Sequence, residues 1–166
     1  GTSRDDSYGN AVIGSTTNNL DLTQNWSAEI WARIPSTVIY QVPLMTKYVA
    51  GNNKSGEFSL SASAATGRVY FSLGVGGSVD SAFHVVTPVG SFKPNQWHHV
   101  VATVDSFTVS IYIDGQLAST ASRPTTALVR TDTAPIRVGY ALYDNNTYSY
   151  QPGTSYADAA IYLSAL

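Results

Sequence analysis

Trp97-His98-His99-Val100-Val101-Ala102-Thr103-Val104-Asp105, continued after Ser106-Phe107 by Thr108-Val109-Ser110-Ile111-Tyr112-Ile113-Asp114-Gly115-Gln116-Leu117, is the stretch that decides the fold. β-Branched and aromatic residues dominate it, and apolar residues alternate with polar ones instead of recurring at helical spacing. Asp105-Ser106-Phe107 makes a short hairpin connection. Asp114-Gly115 is a two-residue turn whose glycine can take positive φ. The reading is a three-stranded meander over His98–Asp105, Thr108–Ile113 and Gln116–Ser122.

The same period of two runs outward from this segment. In Trp26-Ser27-Ala28-Glu29-Ile30-Trp31-Ala32-Arg33-Ile34 it sets Trp26, Ala28, Ile30, Ala32 and Ile34 on a core face, and Ser27, Glu29, Trp31 and Arg33 on the other. Further strands are predicted over Ala11–Ser15, Leu44–Tyr48, Glu57–Ala62, Arg68–Val75, Ala82–Thr87, Ile136–Tyr140 and Ala157–Tyr162. No segment carries a convincing helical period. The spacing predicts an all-β, two-sheet antiparallel sandwich in a single domain over 1–166, with Tyr143–Tyr156 as one long loop of the kind that carries function.

Composition narrows the possibilities. The chain has 166 residues, 43% hydrophobic and 12% charged, with 11 Tyr and no Cys. A chain of this size buries enough surface for a core without staples, which argues against disorder. The absence of cysteine excludes disulfides and thiolate chemistry. Lys and Arg total 9 against 11 Asp and Glu, and they are scattered singly, so neither nucleic acid nor an anionic membrane is an expected partner. No apolar run is long enough to span a bilayer, so membrane insertion is not expected. The N-terminal Gly1-Thr2-Ser3-Arg4-Asp5-Asp6 reads as a cut edge, as of a domain excised from a larger polypeptide.

Trp97–Asp105 with Val109–Leu117 closely resembles the central hairpin of laminin-G-like domains in the concanavalin A-like lectin/glucanase superfamily. Trp26–Ala32, Leu44-Met45-Thr46-Lys47 and the closing Ala157–Leu166 are similar to further blocks of that family in the same order. The resemblance implies a curved jelly roll whose first and last strands are adjacent, with ligands on a concave face or at a loop rim. It also places Trp97 in the core. Two departures stand out: the usual aromatic-Gly pair is loosened to Tyr150-Gln151-Pro152-Gly153-Thr154-Ser155-Tyr156, and the chain stops at Leu166.

Catalytic arrangements are hard to assemble from these residues. Glycoside hydrolysis in its usual form needs two converging carboxylates, but Glu29 and Glu57 fall on different predicted strands without a second acid one or two positions away. Asp105 and Asp114 sit where side chains cap turns. His98 and His99 are adjacent, so they point to opposite faces and cannot chelate one metal together. Neither a nucleophile elbow nor a phosphate-binding loop is present.

Binding features are easier to find. In Tyr140–Tyr150, tyrosines interleave with Asp and Asn. A tyrosine ring offers a flat apolar face to the C–H side of a pyranose, while hydroxyl, carboxylate and amide groups meet its oxygens. Tyr143, Asp144, Asn145, Asn146, Tyr148 and Tyr150 are the candidate ligand residues, with Tyr143 and Tyr148 nearest the loop tip; Tyr140 and Tyr156 are expected to pack. Trp31 joins the candidates, either on a solvated concave surface or under a crossing loop. The family resemblance implies calcium at a rim, for which Asp5, Asp6, Asp80, Asp132 and Asp144 are available, though no spacing resembles a calcium loop. Asn25, Asn53 and Asn145 each begin an Asn-x-Ser/Thr triplet. The functional expectation is a non-catalytic module that binds a glycan or glycoprotein surface on a secreted, cell-surface or virion protein. The alternative is a structural or adhesive protein-contact domain, and a glycoside hydrolase ranks last.

Overall fold

The computed structural model describes residues 3–5, 10–13, 22, 25–47, 57–74, 82–123, 135–139, 141–142, 148–149 and 152–165. Among these there is no helix. A seven-stranded sheet has the order β1 (Ser3–Asp5), β2 (Asn10–Ile13), β11 (Ile136–Val138), β4 (Gln41–Lys47), β5 (Phe58–Ser63), β6 (Arg68–Gly74), β7 (Ala82–Val86). A five-stranded sheet has the order β10 (Gln116–Ser122), β9 (Thr108–Ile113), β8 (His98–Val104), β3 (Trp26–Arg33), β14 (Ser155–Tyr162). β12 (Ala141–Leu142) and β13 (Tyr148–Ser149) pair separately. Every described pairing is antiparallel, as expected.

The meander forms as predicted. Asp114 and Gly115 take φ of 52° and 76°, the paired left-handed residues of a hairpin turn whose twist matches its strands. The edge of β7 lies against β9 and β10, which leaves β1 and β14 at the opposite edge, one in each sheet. The expected adjacency of first and last strands is not formed as a ladder: β1 pairs with β2 and β14 with β3.

Inward-facing side chains of both sheets interlock. Trp26 of β3 is fully buried, its ring centroid 5.0 Å from that of Phe58 and 5.9 Å from that of Phe71 on the facing sheet. Ala28, Ile30 and Ala32 follow on the same buried face. Among polar residues, Lys47 and Glu57 are buried together as an ion pair, and the Glu57 Oε1 accepts the Leu22 N–H at 3.2 Å. This pair fastens the chain around residue 22 to the end of β4, and it is worth keeping only as a pair, because either charge left alone in the interior is costly.

Three expectations change at this level. β1 was not anticipated. β14 starts at Ser155 instead of Ala157. The segment expected to be one loop contains β13, paired with β12 just ahead of it, and the register Leu142↔Tyr148 puts Tyr148 on a strand, not at a tip. The reason is alternation too short to recognise: two residues per strand carry no readable period.

Candidate functional site

On β3 the outward positions are Ser27, Glu29, Trp31 and Arg33. Trp31 is 38% exposed and pairs across the ladder with His99 of β8. The two rings stack, with centroids 5.1 Å apart and planes inclined by 21°. The imidazole covers one indole face, so the exposure of Trp31 lies on its other face and edge. His99 Nε2 in turn lies 3.2 Å from Glu29 Oε2, and Tyr162 of β14 donates its hydroxyl to Glu29 Oε1 at 2.6 Å. That bond to Glu29 raises the Tyr162 phenol above its ordinary pKa. Both oxygens of the Glu29 carboxylate are thus engaged, and the network fixes the imidazole that supports the indole.

The edge strand leaves room beside this platform. Ala157, a small residue, is the cross-strand partner of Trp31 on the β14 side. A bulge between Ala157 and Ala160 follows, and Asp158 within it is exposed with a φ of 48°, a conformation few non-glycine residues adopt.

Trp97 departs from expectation. It is 44% exposed, not core. Strand parity gives the reason: Val100, Ala102 and Val104 are buried, so His98 faces inward and His99 and Trp97 face outward. The interior position at this end is filled by Phe92, fully buried and tilted against His98 at a centroid distance of 4.7 Å. The β3–β8 ladder ends at Ala32↔His98, and beyond it Asn95 donates its N–H to Ile34 O at 2.8 Å, one residue out of that register. Trp31 and Arg33 therefore share the outward face of β3, with His99 across from Trp31.

The tyrosine-rich segment leads back to the same place. Gly139, at its start, donates its N–H to Leu44 O in the seven-stranded sheet at 3.1 Å, and the chain rejoins the five-stranded sheet at Ser155, paired with Arg33. Tyr143, Asp144, Asn145, Asn146 and Tyr150 lie outside the described residues, and Tyr148 is described by its backbone alone. Tyr156 packs against the core as expected, its hydroxyl donating to Pro43 O at 3.2 Å.

For calcium, Asp6, Asp80, Asp132 and Asp144 fall outside the described residues, and Asp5 is placed only as backbone in β1. The described residues contain no group of three or more His, Asp or Glu able to hold a metal. No role is derived for the ion.

Other polar groups are structural. Asp105 Oδ1 accepts the N–H groups of Phe107 and Thr108, each at 2.6 Å, and its Oδ2 accepts the Thr108 hydroxyl at 2.7 Å. The bond from Phe107, then that from the Thr108 hydroxyl, hold the Asp105 carboxyl below the usual range. Asp114 Oδ2 lies 2.7 Å from His98 Nδ1, and Oδ1 accepts the His99 N–H at 2.9 Å. Burial pushes the Asp114 carboxyl up, but these bonds and the neighbouring imidazoles outweigh it, and the net shift is down. Both aspartates fasten turns, as the sequence indicates. Glu29 and Glu57 belong to opposite sides of the sandwich, one in the outward network and one in the buried pair, so they do not converge on a common bond.

The sequence reading missed the Glu29, His99 and Tyr162 network, because register between distant strands is not written locally. It also missed a set of exposed apolar side chains at the end of the sandwich where Arg33 lies: Ile39, Tyr40 and Val89 are 68%, 65% and 67% exposed. Apolar residues in loops flanked by Pro and Gly are the available signal for them.

A laminin-G-like profile of the concanavalin A-like lectin/glucanases superfamily matches residues 5–166. No curated protein sequence matches the chain. Among solved structures, the binding domain of botulinum neurotoxin DC in complex with rat synaptotagmin II superposes with a TM-score of 0.69 at 17% identity, over 99% of this chain and 39% of that one. The same domain in complex with SialylT gives 0.66 at 17%, over 99% and 38%. A botulinum neurotoxin type C structure, described as showing cell entry through two ganglioside molecules, gives 0.64 at 16%, over 99% and 39%. At these identities the likeness is one of fold, and the chain spans less than two-fifths of those chains. With the sandwich in place and the profile running through nearly all of it, the chain belongs to the concanavalin A-like lectin/glucanase superfamily.

Proposed function

We propose that this chain is a non-catalytic carbohydrate-binding module whose primary contact is Trp31. The carrying observation is the half-exposed indole held flat by His99, which is itself fixed by Glu29 and Tyr162. A pyranose stacks on such a face through its C–H side, and the rigid backing keeps the ordering cost of binding low. The Glu29 and Glu57 placements support the non-catalytic reading. Solved binding domains of the same fold, described with SialylT and with gangliosides, lend it further support. The module belongs, in this reading, to a larger secreted, cell-surface or virion protein, and Tyr143 and Tyr148 add contacts from the segment that rejoins beside Arg33.

The test is a glycan-array screen with and without calcium chelation, followed by titration of the strongest ligand against Trp31→Ala, Tyr143→Ala and Tyr148→Ala. Binding that survives chelation and is lost in Trp31→Ala supports the proposal. Silence across a broad array refutes it. A second reading, docking to a protein, is favoured by exposed Ile39, Tyr40 and Val89; it predicts that Ile39→Ser with Val89→Ser disrupts a partner contact that Trp31→Ala leaves intact.

A further inference from the structure

The end of the sandwich at which β3 closes and β4 begins is built from connections that hold one another. Val38 donates its N–H to Pro35 O at 3.1 Å, the Ser36 N–H reaches Asn95 Oδ1 at 3.1 Å, and the Asn95 N–H reaches Ile34 O at 2.8 Å. The β7–β8 connection is also fastened to the β5–β6 turn, by the Gly90 N–H to Thr66 O at 3.3 Å and the Phe92 N–H to Gly67 O at 2.9 Å. From these tied loops Ile39, Tyr40 and Val89 project, each about two-thirds exposed. Large apolar groups held out in water on fixed backbone are unfavourable for the isolated domain, and they mark a contact surface.

Their arrangement decides what kind of contact. Gln41 pairs with Ser63 and Ser63 with Arg68, and the Thr87 N–H bonds Val69 O. Tyr40 and Val89 therefore extend strands three spacings apart, about 14 Å at the usual strand separation. Ala65 and Thr66, small and exposed, occupy the turn between them. The apolar side chains are separate tips, whereas protein contacts are anchored by contiguous, fully desolvated clusters. A bilayer interface accepts separate tips, and it suits a tyrosine, whose ring is apolar and whose hydroxyl stays wet.

Charge points the same way. Basic residues scattered singly in the sequence gather at this end: Arg33 and Lys93 are exposed, and Arg68 is partly so. Among the described residues none of the three belongs to an ion pair. The exposed acids among them are Asp114 and Asp158. Asp114 is engaged by His98 and by the His99 N–H, and Asp158 lies in the β14 bulge, three residues beyond the Ser155↔Arg33 pair. Apolar tips ringed by cations match the two layers of an anionic membrane surface, charged headgroups above an acyl boundary.

We propose that this end of the sandwich docks peripherally on an anionic phospholipid surface: Ile39, Tyr40 and Val89 enter the boundary between headgroups and acyl chains, and Arg33, Arg68 and Lys93 meet the lipid charges. The contact needs neither a membrane span nor a sugar, so it stands independently of the carbohydrate reading. Trp31 is one outward position from Arg33 on β3, so docking brings the indole platform close to the lipid surface.

The experiment is co-sedimentation with sugar-free vesicles of phosphatidylcholine, with and without phosphatidylserine, at low and high salt. The expected result is binding to the serine-containing vesicles that salt weakens, that Lys93→Gln weakens about fivefold and that Ile39→Ser with Val89→Ser weakens at least about tenfold. Phe107, 76% exposed in the β8–β9 hairpin at the opposite end, is the control, and Phe107→Ser is expected to leave binding unchanged. All these side chains are exposed, so unchanged melting temperatures verify the fold of each variant. The chain has no cysteine, so an environment-sensitive dye on Ile39→Cys or on Phe107→Cys reports one end at a time; its emission is expected to rise with vesicles in the first and stay constant in the second. No partition into serine-containing vesicles, the outcome if these side chains contact only a protein, overturns the proposal. So does partition that Ile39→Ser with Val89→Ser leaves intact, or that Phe107→Ser weakens equally.

Discussion

Trp26 opens β3 and Trp97 immediately precedes β8, and the two look equivalent in sequence, yet the structure assigns them opposite fates. Trp26 is fully buried between Phe58 and Phe71, and Trp97 is 44% exposed. Removing the Trp26 side chain takes on the order of 200 Å² of buried aromatic surface, which at about 25 cal/mol per Å² is roughly 5 kcal/mol. Large aromatic truncations in cores cost about 3–5 kcal/mol. In a domain of 166 residues each kcal/mol moves the midpoint by about 2–4 °C, so Trp26→Ala is expected to melt roughly 6–20 °C lower. At Trp97 nearly half the side chain is already in water and no closed cavity is left behind, so Trp97→Ala is expected to cost about 1–2 kcal/mol. Urea unfolding followed by far-ultraviolet circular dichroism measures both without relying on the deleted fluorophore. If Trp97→Ala proves as destabilising as Trp26→Ala, the strand parity that turns Trp97 outward is wrong.

Other outcomes follow from the same contacts. Glu57→Leu alone leaves the buried Lys47 ammonium without its carboxylate and is expected to cost about 3–5 kcal/mol, whereas Lys47→Met combined with Glu57→Leu costs less; urea midpoints of the single and double variants decide this. Gly67 takes a φ of 63°, and a Cβ there would stand 2.8 Å from the Gly90 Cα, whereas a Cβ on Gly115 meets nothing within 4 Å. Gly67→Ala therefore destabilises by more than the roughly 1 kcal/mol set by backbone strain at Gly115→Ala, and equal losses would contradict the packing of Gly67 on Gly90. Asp114 is depressed in the folded state relative to its ordinary carboxylate value, so its contribution is fully present above about pH 4 and is lost as pH falls through the lowered native value. Asp114→Asn is expected to flatten that acid limb and lower stability at neutral pH. An identical acid limb in the variant would show that the carboxylate is not what holds His98 and the His99 N–H.

What could be read in advance was local. The meander, the Asp114-Gly115 turn, the capping by Asp105 and the opposite faces of His98 and His99 all depend on residues a few positions apart, where period and turn chemistry act directly. The outward aspect of Trp31 is also a parity statement within one strand. Its stacking on His99 is not, because the β3–β8 register joins residues 31 and 99, and nothing near either one specifies the other. The bond from Tyr162 to Glu29 spans the chain still more widely. Trp97 shows how a family expectation and strand period can disagree: the same alternation that places Val100 inward puts Trp97 outward, and Phe92, from the preceding loop, takes the interior position. The acids were legible as turn fasteners because an aspartate beside a hairpin has nearby N–H groups to accept, but Glu57 gave no local sign of its buried partner.

The most direct test of the carbohydrate claim is tryptophan emission with acrylamide quenching, recorded with and without the strongest array ligand for wild type and Trp31→Ala. Trp26 is sealed in the core, so the quenchable signal comes from Trp31 and Trp97. A blue shift and reduced quenching on adding ligand to wild type, absent in a Trp31→Ala protein of near-unchanged melting temperature, is the predicted result. Ligand binding that leaves wild-type emission and quenching unchanged, or that persists at full affinity in Trp31→Ala, would contradict it.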